Sequence, residues 1–144
     1  MTKPLSVLCV DDNASVAPAL ERWFRRLSDF EWLGSLRSAD ELQATVDRLN
    51  PDVVLLDLDM PGADPVVALK QVRAEHKSVR IVMLSAHLRP EDIDRCLTAG
   101  AAGYLSKNAT PADIAAAVKT IASGKRVLSP EAEESLRLLG PLGK

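Results

Sequence analysis

The residues of this chain whose types could act together on a phosphate are Asp11, Asp12, Asp57, Asp59, Ser85 and Lys107. Carboxylates held within a few ångströms repel one another, and a hard cation is their natural neutraliser. A small, oxygen-only donor set favours Mg²⁺, which keeps part of its water shell and shares the rest with a phosphate. A carboxylate can attack phosphorus to give an aspartyl phosphate. The charge on the transferred oxygens is then met by a metal, an ammonium and a hydroxyl or N–H donor. Taken singly, these residues say little. An acidic pair in a loop is commonly a helix cap or solvated surface, an Asp ending a strand is commonly a turn former, and a lone serine or lysine is ordinary surface. The set acquires meaning only if the fold brings it together.

The elements needed to do so are legible. Leu5-Ser6-Val7-Leu8-Cys9-Val10 suits a buried strand that stops at Asp11-Asp12-Asn13. Val16, Leu20, Trp23, Phe24 and Leu27 follow at helical spacing. Pro18 is tolerated if Asn13 or Ser15 is the N-cap, because it then falls in the first turn. A weak strand is expected over 31–36 and a helix over 40–49, ended by Asn50-Pro51. Val53–Asp57 is the best strand of the sequence, and Met60-Pro61-Gly62 makes the turn after it. A helix over 65–76, a strand over 80–84, a helix from Pro90 to about Gly100, a strand over 103–106 and a helix over 111–123, closed by Gly124, complete the pattern. The body is expected to span 1–128. Residues 129–144 read as a tail or linker start, with a short helix through Leu139 stopped by Gly140-Pro141.

Five strand–helix repeats with short links imply a doubly wound parallel α/β sheet with helices on both faces. Ligands of such sheets bind beyond the carboxyl ends of the strands. That is where Asp11 and Asp12, Asp57 and Asp59, Ser85, and Lys107 fall.

The bulk properties agree with one soluble domain. The chain has 144 residues, 47% apolar and 26% charged. A net charge of −2 gives no electrostatic footprint for nucleic acid. Two cysteines are too few for a disulfide framework. Cys9 reads as a buried small hydrophobe, whereas Cys96 lies in a polar helical stretch. No Cys or His spacing of the metal-binding kind, signal peptide or membrane-length apolar run is present, so a cytoplasmic location is expected.

With these residues in place, the chain resembles a response-regulator receiver domain of two-component systems over roughly residues 5–124. The pieces that carry the resemblance are Asp11-Asp12, the segment from Pro51 through Asp57 to Gly62, Ser85-Ala86, and Gly103-Tyr104-Leu105-Ser106-Lys107. The resemblance implies a flavodoxin-like sheet of five strands in the order 2-1-3-4-5 with five helices. It makes Asp57 the phosphoacceptor. It makes Asp12 and Asp57 direct Mg²⁺ ligands, with Asp11 acting largely through water and the backbone carbonyl of Asp59 completing the set. Ser85 and Lys107 would bind the phosphoryl group. Tyr104 would be the aromatic switch that turns into space vacated near Ser85 and remodels the face of the fourth helix, fifth strand and fifth helix.

A sensor histidine kinase is the implied donor, and a downstream protein or an effector domain beyond this sequence the implied receiver of the signal. A homodimer formed on phosphorylation also fits. The resemblance gives no enzyme beyond self-phosphorylation and autodephosphorylation, no direct nucleic-acid contact and no membrane role. The stretches 99–107 and 123–130 are most similar to the NarL/FixJ (LuxR-type) branch, whose receivers are joined to a helix-turn-helix domain; Ser129 to Lys144 is expected to be too short for one. Asn108 stands where many receivers have proline, and Pro65 where glycine is common. Two rival readings stay open: a receiver-shaped module that is never phosphorylated, and, more remotely, a haloacid-dehalogenase-like phosphatase suggested by Asp57-Leu58-Asp59.

Overall fold

The computed structural model describes residues 3–138. Its centre is a wholly parallel sheet of β1 (Leu5–Val10), β2 (Phe30–Leu36), β3 (Val53–Asp57), β4 (Arg80–Ser85), β5 (Gly103–Ser106) and β6 (Val127–Leu128), in the order β2-β1-β3-β4-β5-β6. The expected order of the first five strands is observed. The sixth strand corrects the expectation of five: Val127 and Leu128 pair with Gly103 and Tyr104. Two residues carry no periodicity, so the sequence could not announce this strand. Gly103 permits it, because a Cβ there would stand 2.8 Å from the Val127 carbonyl oxygen and 2.8 Å from Ile121 Cδ1.

The helices are α1 (Val16–Arg25), α2 (Leu42–Leu49, entered through a tight turn at Ala39–Glu41), α3 (Pro65–Glu75), α4 (Pro90–Thr98), α5 (Pro111–Ala122) and α6 (Pro130–Arg137). Proline begins α3, α4, α5 and α6, where its missing N–H costs no helical bond. The side chains of Asp64, Thr110 and Ser129 cap α3, α5 and α6. Pro18 lies in the first turn of α1, although Ser15 at the N-cap makes no side-chain bond.

Strand residues alternate between two cores. Val7, Cys9, Val53, Leu55, Val82, Leu84 and Leu105 pack with residues of α1 and α5 on one face. Leu8, Val10, Val54, Leu56, Ile81, Met83 and Tyr104 pack with residues of α2, α3 and α4 on the other. This double burial explains why the central strands read as continuous apolar runs. Cys96, expected in a polar stretch, is wholly buried in the second core; its neighbours in sequence are polar because they occupy the other side of α4.

Two features place the acidic rim. Val7 pairs with Trp32 but Leu8 with Gly34, so β2 carries an extra residue there, accommodated by Gly34 at φ +135°. That shift sets Leu36 opposite Val10, and the Leu36 carbonyl accepts the Asp11 N–H at 2.9 Å. On the far side, α6 packs against α4 and β5 with Ala132 completely buried. Residues 129–138 thus lie on the body; Leu139 and the expected stop at Gly140-Pro141 are outside the described residues.

The close approach at Gly103 makes a prediction. Gly103→Ala must push back the backbone of β6 and is expected to cost about 1–3 kcal/mol, the usual range for overpacking. Urea unfolding should show a lower midpoint with an unchanged slope.

Candidate functional site

The carboxyl ends of β1, β3, β4 and β5 meet at one rim. Past β1, Asp11 is turned inward by its own N–H on Leu36 and by the Asn13 N–H, which donates to its Oδ1 at 2.8 Å. Asp57 ends β3, and its Oδ1 accepts the Asp59 N–H at 3.0 Å. Past β5, the Lys107 N–H donates to the Ser85 carbonyl at 3.0 Å, continuing the ladder by one residue. The Lys107 ammonium then reaches Asp11 Oδ2 at 2.9 Å and Asp57 Oδ2 at 3.1 Å. Both carboxylates have only 1% side-chain exposure. Asp12 is half-buried beside them, and one oxygen from each of Asp11, Asp12 and Asp57 lies within 4.8 Å of the others. Asp11 and Asp12 border an open cleft of about 230 Å³ that Ser35 and Arg37 also line.

The charges are unbalanced. Burial raises the Asp57 pKa above the ordinary carboxylate value, against the opposing pull of the Asp59 N–H and Lys107. Burial disfavours the Lys107 charge, yet its bonds to Asp11 and Asp57 prevail and raise its pKa. Burial and the nearby Asp11 push the Cys9 thiol up to about 12, leaving it inert. The inward oxygens Asp11 Oδ2 and Asp57 Oδ2 receive no hydrogen bond of good geometry and are held by the charge of Lys107. Two carboxylates share one ammonium and a third lies alongside, which leaves negative charge for a cation to neutralise.

Ser85, wholly buried at the end of β4, donates from Oγ to Asp59 Oδ2 at 3.1 Å and accepts the His87 N–H at 3.0 Å. Tyr104 is also wholly buried, and its hydroxyl donates to the His87 carbonyl at 2.9 Å. Burial pushes the Tyr104 pKa up to about 12, against a lowering contribution from Ser85. Tyr104 and Ser85 thus both bond the backbone of His87. Asn108 uses the N–H that proline would lack to donate to Ser106 Oγ at 3.0 Å. Pro65, in place of a common glycine, is the first residue of α3, behind the Asp64 cap.

The structure thus brings together every residue singled out in the sequence. It adds two participants that the sequence reading missed. One is the Asp59 carboxylate, which engages Ser85 in addition to whatever its backbone carbonyl does. The other is His87, which acts through backbone groups and so leaves no residue-type signal. A separate group of Asp47, Glu75 and His76 joins α2 to α3 through a 2.6 Å contact from His76 Nε2 to Asp47 Oδ1. Asp47 and Glu75 are exposed there, and surface hydrogen bonds of His76 and Gln43 account for the arrangement. No helix among the described residues is long and apolar enough to cross a membrane.

The shared ammonium predicts opposite signs for two substitutions, measured by urea unfolding without divalent cations. Lys107→Met strands two buried carboxylates and should destabilise by about 2 kcal/mol, below the 3–5 kcal/mol of a fully buried pair because Lys107 is partly solvated. Asp57→Asn should stabilise. The raised pKa means that ionising Asp57 costs more in the folded chain than in the unfolded one, so its favourable contribution is present below the ordinary carboxylate range and is lost as pH rises through the folded value.

Comparison with known proteins agrees with this fold. The family model of the response regulator receiver domain matches residues 7–119. The response regulator protein VraR of Staphylococcus aureus is 32% identical over 133 residues, covering 92% of this chain and 64% of that protein. The chain therefore spans less than two thirds of the length of these curated relatives. A LuxR-family two-component response regulator from Aurantimonas sp. SI85-9A1 superposes with a TM-score of 0.87 at 25% identity, over 94% of this chain and 96% of that one. The signal receiver domain of NarL from Mycobacterium tuberculosis does so with a TM-score of 0.81 at 28% identity, over 86% of this chain and 100% of that one. This chain belongs to the response-regulator receiver family of two-component systems.

Proposed function

We propose that this receiver takes a phosphoryl group on Asp57 from the phosphohistidine of a sensor kinase and passes the change to a downstream protein or effector domain. The observation that carries the reading is the Lys107 ammonium shared between two buried carboxylates, with a third carboxylate alongside and two inward oxygens lacking a good hydrogen bond. In the transfer, an Asp57 oxygen bonds to phosphorus while the phosphorus–nitrogen bond to the donor imidazole breaks, and the imidazole leaves with the electron pair. Lys107 remains in place to pair with the transferred oxygens. Ser85 can turn its one hydroxyl proton from Asp59 to a phosphoryl oxygen. The Asp59 N–H, already on Asp57 Oδ1, holds the nucleophile in orientation.

The donor set suits Mg²⁺: it is oxygen-only, buried at one end and negative in sum. Asp12 and Asp57 would hold the ion directly, Asp11 largely through water, and the Asp59 backbone carbonyl would complete the protein share. When bound, the ion neutralises carboxylate repulsion and stabilises charge on the transferred oxygens. The product adds charge and acceptor oxygens beside Ser85 and Lys107, biasing the face of α4, β5 and α5 towards a second arrangement. That face is the proposed contact for a partner, a second phosphorylated copy included, and the pathway is proposed to run in the cytoplasm.

Incubation with a small acyl-phosphate donor and Mg²⁺ should give near-stoichiometric, acid-stable and base-labile labelling of the wild type. Asp57→Asn should take none, and chelating the divalent ion should abolish labelling. Equal labelling of wild type and variant would end the claim for Asp57, and sustained turnover of a phosphomonoester would favour the phosphatase reading. Mg²⁺ at 100 times its Kd should add about 2.7 kcal/mol of stability through linkage, and Asp12→Ala should lose most of that gain.

A further inference from the structure

The loop between β4 and α4, residues 86–89, has no regular structure of its own. Arg89 joins it to the start of α4 through the Ile93 N–H and the Asp92 carboxylate, and three further hydrogen bonds tie it to the body: the His87 N–H to Ser85 Oγ, the Tyr104 hydroxyl to the His87 carbonyl, and the Ser135 hydroxyl to the Leu88 carbonyl. The first two partners border the phosphoacceptor rim, and the third is on α6. The acid rim and the last described helix therefore hold the same four-residue loop from opposite sides.

α6 depends on that hold. It has eight residues, and isolated helices shorter than about 12–15 residues are marginal in water. Its contact with the body is one narrow stripe of Ala132, Ser135 and Leu136, at helical spacing, of which only Ala132 is completely buried. At its start, the Ser129 N–H donates to the Tyr104 carbonyl at 3.0 Å and Ser129 Oγ caps the helix. Leu128 and Leu136 pack on the same core as Tyr104, Ile93 and Cys96. An element held by few buried groups, with one docking bond on β5 and the other on the β4–α4 loop, belongs to the low-stability end of a fold.

We propose that α6 is a latch: it covers part of the α4–β5 face while Asp57 is unmodified and is released when Asp57 is phosphorylated. This rests on the reading of Asp57 given above. The Ser85 hydroxyl has one proton, so donating to a phosphoryl oxygen withdraws it from Asp59 and draws Oγ away from the His87 N–H. The loop then shifts at His87, the Leu88 carbonyl moves off Ser135, and α6 loses a polar anchor along with its packing. Release uncovers the apolar groups under Ala132 and Leu136.

Hydrogen–deuterium exchange of residues 130–138 in the full chain tests this, before and after an acyl-phosphate donor with Mg²⁺, with intact mass reporting phosphorylation in the same samples. Phosphorylated protein is expected to exchange these amides at least about tenfold faster while β3 and β4 stay protected. Ser135→Ala should show fast exchange in α6 without any donor. Phosphorylated protein with unchanged exchange in α6 overturns the latch and leaves the reading of Asp57 standing. Slow exchange in Ser135→Ala overturns the anchoring role of that hydroxyl and the latch with it. A chain that gains no phosphoryl mass overturns the reading of Asp57 itself, and the latch loses its trigger.

Discussion

One ammonium shared by two buried carboxylates is the constraint on which the rim depends. A single buried carboxylate would protonate, and two without a cation would repel each other strongly in a low dielectric. Lys107 sets its charge against both Asp11 and Asp57 while lacking the charge to neutralise Asp12 as well. The outcome is a pocket that is folded and under-compensated at once. Such a pocket favours any ligand that brings cationic charge.

The parallel sheet makes this constraint affordable to build. Asp11, Asp57 and Lys107 come from β1, β3 and β5, neighbours or near neighbours in the sheet, so separations of tens of residues in sequence shrink to hydrogen-bond lengths at one rim. The strands beneath are buried on both faces and hold the rim rigidly. By contrast, the residues that would respond to modification lie at strand ends and in the β4–α4 loop. Ser85 and Tyr104 are buried, yet both meet that loop through the backbone of His87, which has few other ties. Strands buried on both faces under Asp57 and a loop without regular structure beside it are adjacent segments of the same chain.

Much of this was legible in the order of residues. Val53–Asp57 and Gly103–Ser106 were bounded correctly because branched apolar runs ended by Asp or Lys, or opened by Gly, have few other readings. Pro90 and Pro111 marked helix starts through a missing N–H. β6 escaped because two residues have no period, and the burial of Cys96 went unread because a half-polar helix hides which side faces the sheet. The Asp59 carboxylate was visible as a residue, but its bond to Ser85 was not, since nothing in an Asp-Leu-Asp spacing says where the second side chain turns.

By itself, the sequence determined the alternation of elements, the rim on which the acids, the serine and the lysine had to fall, and the kinship with receivers. These follow from local periodicity, from helix-start and turn chemistry, and from the rule that parallel strands end on one side. Tertiary structure alone decided that Lys107 divides its charge between Asp11 and Asp57, that His87 serves through its backbone, and that a short last helix docks beside Tyr104. Those are contacts between atoms distant along the chain, set by distances that residue types do not encode.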